Sequence, residues 1–217
     1  MVWTEHVGNY LGQYRYLRYV VFGVALGALV VAAAFGYRYY VGRYTQQAQA
    51  SLARSIALYE RAERENTKDL WDSSEQAFSQ GYTEFSGTAL APYFLAFQSE
   101  VALKQGRGAE ARELLEKAMS QLATTSPLQS LYATKLALMQ IDSNDPEIIK
   151  QGHTTLQALA SNPKNQDRDT ALYYQGLIAF DSGDRGAAEK AWNVLIETYG
   201  ADSVWAQVAQ SKLEYVS

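Results

Sequence analysis

The sequence predicts an all-α protein in which one N-terminal transmembrane helix is followed by an array of helical hairpins. Three observations predict it. An uncharged apolar run lies near the N-terminus, the apolar spacing beyond it is helical rather than alternating, and a two-helix pattern with a glycine turn occurs twice. The composition fits this division: 47% of the 217 residues are hydrophobic and 19% charged, with the apolar share concentrated in the first run.

Residues 1–18 form a short tail. From Tyr19 to Tyr37 the sequence YVVFGVALGALVVAAAFGY carries no charge, long enough at about 1.5 Å per residue to span a hydrocarbon layer of about 30 Å. Tyr10, Tyr14, Tyr16 and Tyr19 crowd one end, and Tyr37, Tyr39, Tyr40 and Tyr44 the other, as aromatic rings do at headgroup depth. Arg15, Arg18, Arg38 and Arg43 can reach phosphates from the same flanks. Ala32, Ala33 and Ala34 would also suit a signal-peptide cleavage site. The apolar run nevertheless exceeds the usual core of a signal peptide of roughly 7–15 residues, which favours a retained anchor. Gly23 and Gly27 form a GxxxG spacing, and Ala32 with Gly36 repeats it, so one face admits the close approach of a second helix; such residues are also common in membrane helices generally. The arginines are nearly balanced across the run and do not orient it by charge.

Residues 38–66 read as a helical extension of the anchor: Leu52, Ile56 and Tyr59 in QQAQASLARSIALYERAERE recur at helical spacing. Asn66 and Thr67 read as a break and cap before a second helix through Phe78. Gly81, Gly87 and Gly106 read as isolated helix stops. Residues 67–217 form the repeat domain. Tyr93 to Leu122 matches Tyr173 to Gly200, each an amphipathic helix, a glycine turn at Gly106 or Gly183, and a second helix. At the turn, glycine takes a left-handed conformation at little cost. Ala111 and Ala188 follow, small enough for close helix packing, and then Leu115 and Trp192, large enough to fill the space between hairpins. Between the two copies, SLYATKLALMQIDSNDPEIIKQGHTTLQALA reads as a hairpin turning at Asp142 to Pro146 without a glycine. EFSGTALAPYFLAF parallels TYGADSVWAQVAQS, and a last helix ending near Leu213 and Tyr215 caps the stack.

The hairpin spacing resembles the tetratricopeptide repeat, with Gly176 at its small helix-A position, Ala188 at its helix-B alanine and Trp192 at its helix-B aromatic position. In the earlier copy Ser99 replaces the glycine and Leu115 the aromatic. The fold class is thus a transmembrane helix followed by a tetratricopeptide-like helical-hairpin solenoid. That resemblance places Tyr93, Glu100, Lys104, Tyr173, Leu177 and Asp181 along the concave groove, where they would hold a partner; the tyrosines are equally suited to inter-repeat core. Across nearly its whole length the chain resembles the ancillary SecYEG translocon subunits, the YfgM-like family. The carriers are the glycine-rich span running into GYRYYVGRYTQQAQASLARSIALYERA, the hairpin GLIAFDSGDRGAAEKAW and the closing AQSKLEYVS. The resemblance implies a single-pass protein of the bacterial inner membrane, N-terminus cytoplasmic and C-terminal domain periplasmic. It also implies a SecYEG-type translocon and a membrane-anchored periplasmic chaperone as partners.

Little in the sequence points to chemistry. The net charge of −4 offers no extended basic surface for nucleic acid, and the absence of cysteine excludes disulfides, thiolate metal sites and thiol nucleophiles. His6 and His153 lie in different segments. Glu113 and Glu116 share a helix face with Arg112 and Lys117, the make-up of a solvated surface. No phosphate loop, HExxH or GxSxG occurs. The expectation is a non-enzymatic protein-binding adaptor without cofactor, metal or small-molecule substrate; a scaffold subunit of a larger envelope complex is the alternative.

Overall fold

The computed structural model describes residues 38–123 and 125–216. The predicted anchor, Tyr19–Tyr37, and its packing residues Gly23, Gly27, Ala32 and Gly36 lie outside the described residues. Among the described residues no helix is long and apolar enough to cross a membrane. By its contacts the chain divides into two units, Met1–Ala50 and Ser51–Ser217.

In the first unit the described residues 38–50 are helical, and this helix, α1, ends at residue 65 in the second unit. Tyr39 and Tyr40 are about two-thirds exposed, at 65% and 67%. Arg43 donates to the Tyr39 hydroxyl at 3.0 Å and lies 5.7 Å from its ring centroid. Tyr40 and Tyr44 stack at 6.2 Å, so one turn of helix arrays rings and guanidinium side by side.

The second unit contains the end of α1 and eight further α-helices among the described residues: α2 Lys68–Phe85, α3 Ala91–Lys104, α4 Gly108–Gln121, α5 Pro127–Ile141, α6 Pro146–Ser161, α7 Arg168–Asp181, α8 Arg185–Tyr199 and α9 Val204–Val216. Within it Tyr59 of α1 meets Trp71 of α2 and Phe97 of α3 edge-on, at 5.7 and 5.8 Å. The closest pairings are α3 with α4, α5 with α6 and α7 with α8; α2 lies on α3, and α9 on α8 and α7. No strand occurs among the described residues. The described helices pack in successive pairs, an arrangement consistent with the expected helical hairpins.

The predicted turns have the predicted chemistry. Gly106 and Gly183 have φ of 77° and 86°. In each, the next residue's amide reaches back five positions, Arg107 to the Ala102 carbonyl at 2.8 Å and Asp184 to the Ala179 carbonyl at 2.9 Å, while the glycine amide bonds three back. These bonds satisfy carbonyls that a helix end leaves open. The middle hairpin closes without glycine because Asp145 caps α6, its Oδ1 accepting from the Glu147 amide at 2.9 Å, and Pro146 pre-sets the first turn.

Two readings are corrected. The second helix does not stop near Phe78 but continues to Phe85, and Gly81 lies inside it. Gly81 is glycine because the Phe94 ring of α3 covers it: a Cβ there would lie 2.1 Å from Phe94 Cε1. Helix α1 does break at Asn66, in the left-handed region at φ 47°, yet the Thr67 side chain makes no capping bond. Asn66 is held by Trp71, whose indole N–H donates to its Oδ1 at 3.0 Å.

The core is built around α5. Met139 joins Leu95, Ala96, Ala111 and Leu115 on its N-terminal side, and Ala137 joins Leu156, Leu172, Trp192 and Leu195 on the other. Trp192 fills the inside of its own hairpin: its indole lies over Gly176 and donates to the Tyr173 carbonyl at 3.1 Å. In the earlier hairpin Ser99 takes the place of Gly176, and its hydroxyl donates to the Ala111 carbonyl at 2.6 Å.

Candidate partner-binding groove

The first helices of successive hairpins are α3, α5 and α7. Between them lies an open cleft of about 510 Å³. Its floor comes from α5, with Leu131, Thr134, Lys135 and Leu138; Leu103 and Arg112 border it from the α3–α4 hairpin, and Asp167, Thr170, Tyr174 and Trp205 from α7 and α9. Leu103 and Leu131 are 37% and 44% exposed. A more polar pocket of about 880 Å³ adjoins it at the hairpin turns, sharing Leu103, Gly108, Arg112 and Asp142.

Side-chain contacts tie the walls together. The Ser203 hydroxyl donates to Asp169 Oδ2 at 2.7 Å, tying the start of α9 to the start of α7. Tyr173 and Trp205 stack at 4.6 Å, with Tyr174 against both. Lys135 is half-buried and pairs with Glu100 across α3 and α5. Burial pushes the Lys135 ammonium below the ordinary lysine range.

None of the six residues expected in the groove is among those that line this cleft. Tyr93 is half-buried beside Tyr132 of α5, whose phenol is pushed up by burial and then by Tyr93. Glu100 is engaged with Lys135. Lys104 is exposed and pairs with Glu63 of α1 at 2.9 Å. Tyr173 is buried at 7% exposure, and its phenol is pushed up by burial first, then by Tyr174 and Asp181. Leu177 packs on the core, and Asp181 is exposed at the end of α7. The cleft's own residues, Leu103, Arg112, Leu131, Asp167 and Trp205, were not singled out from the sequence. One signal existed: PLQSLYATKLALMQI is apolar on more faces than a single packing contact needs.

His153, Glu113 and Glu116 are exposed. Among the described residues no group of three His, Asp or Glu side chains converges as a metal site would. No family model matches the chain, and no curated protein matches it.

Proposed function

We propose that this chain is a membrane-anchored adaptor that holds a polypeptide partner in the cleft between its first helices. The observation that carries the reading is the cleft's composition: two part-exposed leucines and an aromatic wall under a rim of charged groups, a mixture suited to apolar anchoring with polar registration. The uncharged run at Tyr19–Tyr37 supports a single-pass anchor, and the ring-and-arginine belt at residues 38–44 suits the headgroup layer beside it. The resemblance to the ancillary translocon subunits supports a place in the bacterial inner membrane beside a SecYEG-type translocon and a periplasmic chaperone, with the repeat domain periplasmic.

Photo-crosslinking in intact cells tests this. A crosslinking side chain at Leu131 should capture a discrete protein, and the same side chain at His153, exposed on α6, should not. Equal capture from both positions, or from neither, would remove the cleft as the binding surface. Identification of the captured protein as a translocon or chaperone subunit would extend the reading to the specific machine.

A further inference from the structure

The described part of α1 opens on a patch unlike the rest of the surface. Tyr39, Tyr40 and Val41, three consecutive large apolar side chains, are exposed, whereas Leu103, Leu131 and Val204 come singly from three different helices. Arg38 and Arg43 are exposed beside them. No acidic residue occurs between Arg38 and Tyr59, and among the described residues no carboxylate pairs with either arginine. The chain as a whole carries a net charge of −4, so this local excess has the opposite sign.

Gly42 lies at the centre of the patch. On a helix, residues three and four positions away are surface neighbours, which places Arg38, Tyr39, Thr45 and Gln46 around it, with Arg43 next in sequence. A Cβ at Gly42 would meet nothing within 4 Å, so no packing contact requires glycine there, although glycine weakens a helix relative to alanine. The result is a shallow gap flanked by two arginine positions. Arg43 is steadied at its edge by the Tyr39 hydroxyl, which accepts from Nη1 at 3.0 Å; its remaining N–H groups donate to no described residue.

Resting on the reading that Tyr19–Tyr37 is a membrane anchor, we propose that this patch is a docking surface for anionic phospholipid, the headgroup phosphate lying over Gly42 with Arg38 and Arg43 as its donors. Arg38 directly follows the uncharged run, which on that reading sets the patch at headgroup depth, where tyrosine rings are favoured. Every phospholipid brings a phosphate, and guanidinium groups bind phosphate through several N–H bonds at once. A zwitterionic headgroup adds an ammonium, for which the patch holds no carboxylate. An anionic headgroup adds no such cation, so the two arginine charges meet a net negative charge.

The test is electron spin resonance of full-length protein reconstituted in phosphatidylcholine bilayers, with trace spin-labelled phosphatidylglycerol or phosphatidylcholine. The motionally restricted component gives the relative affinity of the two lipids for the protein. Phosphatidylglycerol should be preferred about threefold, the effect expected of two surface arginines averaged over the whole lipid shell. Arg38→Gln/Arg43→Gln should bring the ratio below about 1.5, and Gly42→Leu should do the same with both arginines in place. Lys150→Gln/Lys164→Gln, which removes the same charge from exposed positions beyond α1, should keep the preference. A preference that survives in either patch variant overturns the proposal by tracing it to other residues, and one lost equally in the lysine variant overturns it by tracing it to net charge. Equal wild-type affinity for the two lipids also overturns it, and a disulfide-linked dimer through Gly42→Cys would then assign the face to a second copy of the chain. Flotation with the vesicles after a carbonate wash separates the two levels. Protein that floats without a lipid preference refutes only the headgroup selection; protein that does not float refutes the anchor reading and this proposal with it.

Discussion

Gly176→Ala should destabilise the protein although alanine is the better helix former. Gly176 is buried within α7, and an added Cβ would lie 2.4 Å from Trp192 Nε1, 2.6 Å from Cδ1 and 2.8 Å from Cε2. The indole cannot swing away cheaply. It is fully buried, Phe180 lies 5.9 Å from it between centroids, and its N–H is committed to the Tyr173 carbonyl. Relieving the overlap costs about 1–3 kcal/mol as overpacking. Stretching the indole bond costs about 1 kcal/mol more, and helix propensity returns about 1 kcal/mol. The net is a loss of about 2 kcal/mol, which for a chain of this length lowers Tm by about 4–8 °C. Thermal melts followed by circular dichroism in detergent give the shift, and hydrogen exchange locates it, since a repeat array loses stability locally: α7 and α8 should exchange faster and α3 and α4 should not. The double variant with Trp192→Leu should melt well above the sum of the two single effects, because the smaller side chain vacates the space the new methyl needs. A neutral or stabilised Gly176→Ala, or strict additivity with Trp192→Leu, would refute the close-packing argument.

Other glycines provide the contrast. Gly152→Ala meets the backbone carbonyl of Ala137 at 2.7 Å and should cost about 1–3 kcal/mol in denaturant melts by pushing α6 off α5. Gly186→Ala, whose nearest neighbour is Asp184 Oδ1 at 3.8 Å, should be neutral or stabilising by up to about 1 kcal/mol in the same assay. Ser99→Ala removes the buried bond to the Ala111 carbonyl and should cost about 1 kcal/mol, whereas Ser99→Gly at the matching position of the last hairpin's glycine should cost more through helix propensity. Tyr59 carries an alkaline signature. Burial first, then the charge of Glu63 and the bond to it, push its phenol up to about 12 from an ordinary 10.0. A folded pKa above the unfolded one means stability that is complete below about pH 10 and is lost as pH rises toward 12. Urea titrations across that window should show a shallower decline in Tyr59→Phe, and an unchanged slope would count against the assignment.

The hairpins were legible because their turns are local. Gly106 and Gly183 close helices by bonds within a few residues, and Asp145 with Pro146 does the same by capping, so each needs nothing from the rest of the fold. Gly81 was not legible. A glycine that ends a helix and a glycine that admits a neighbouring ring look alike in sequence, and only Phe94, on the next helix, distinguishes them. The groove was less legible still. In the register that superposes Gly106 on Gly183 and Ala111 on Ala188, Tyr93 falls opposite Thr170, and Tyr173 opposite Ala96. Ala96 and Tyr173 are both buried, at 4% and 7%, so that register marks a core position filled by a methyl in one hairpin and by a ring stacked on Trp205 in the other. The residues that do line the cleft sit at different heights on their helices: Leu103 near the end of α3, Leu131 near the start of α5, Asp167 before α7 begins. The cleft therefore draws no two of these residues from one repeat position. Repeat register therefore identifies what holds one hairpin together, whereas the cleft depends on how successive hairpins stack, which no single repeat position encodes.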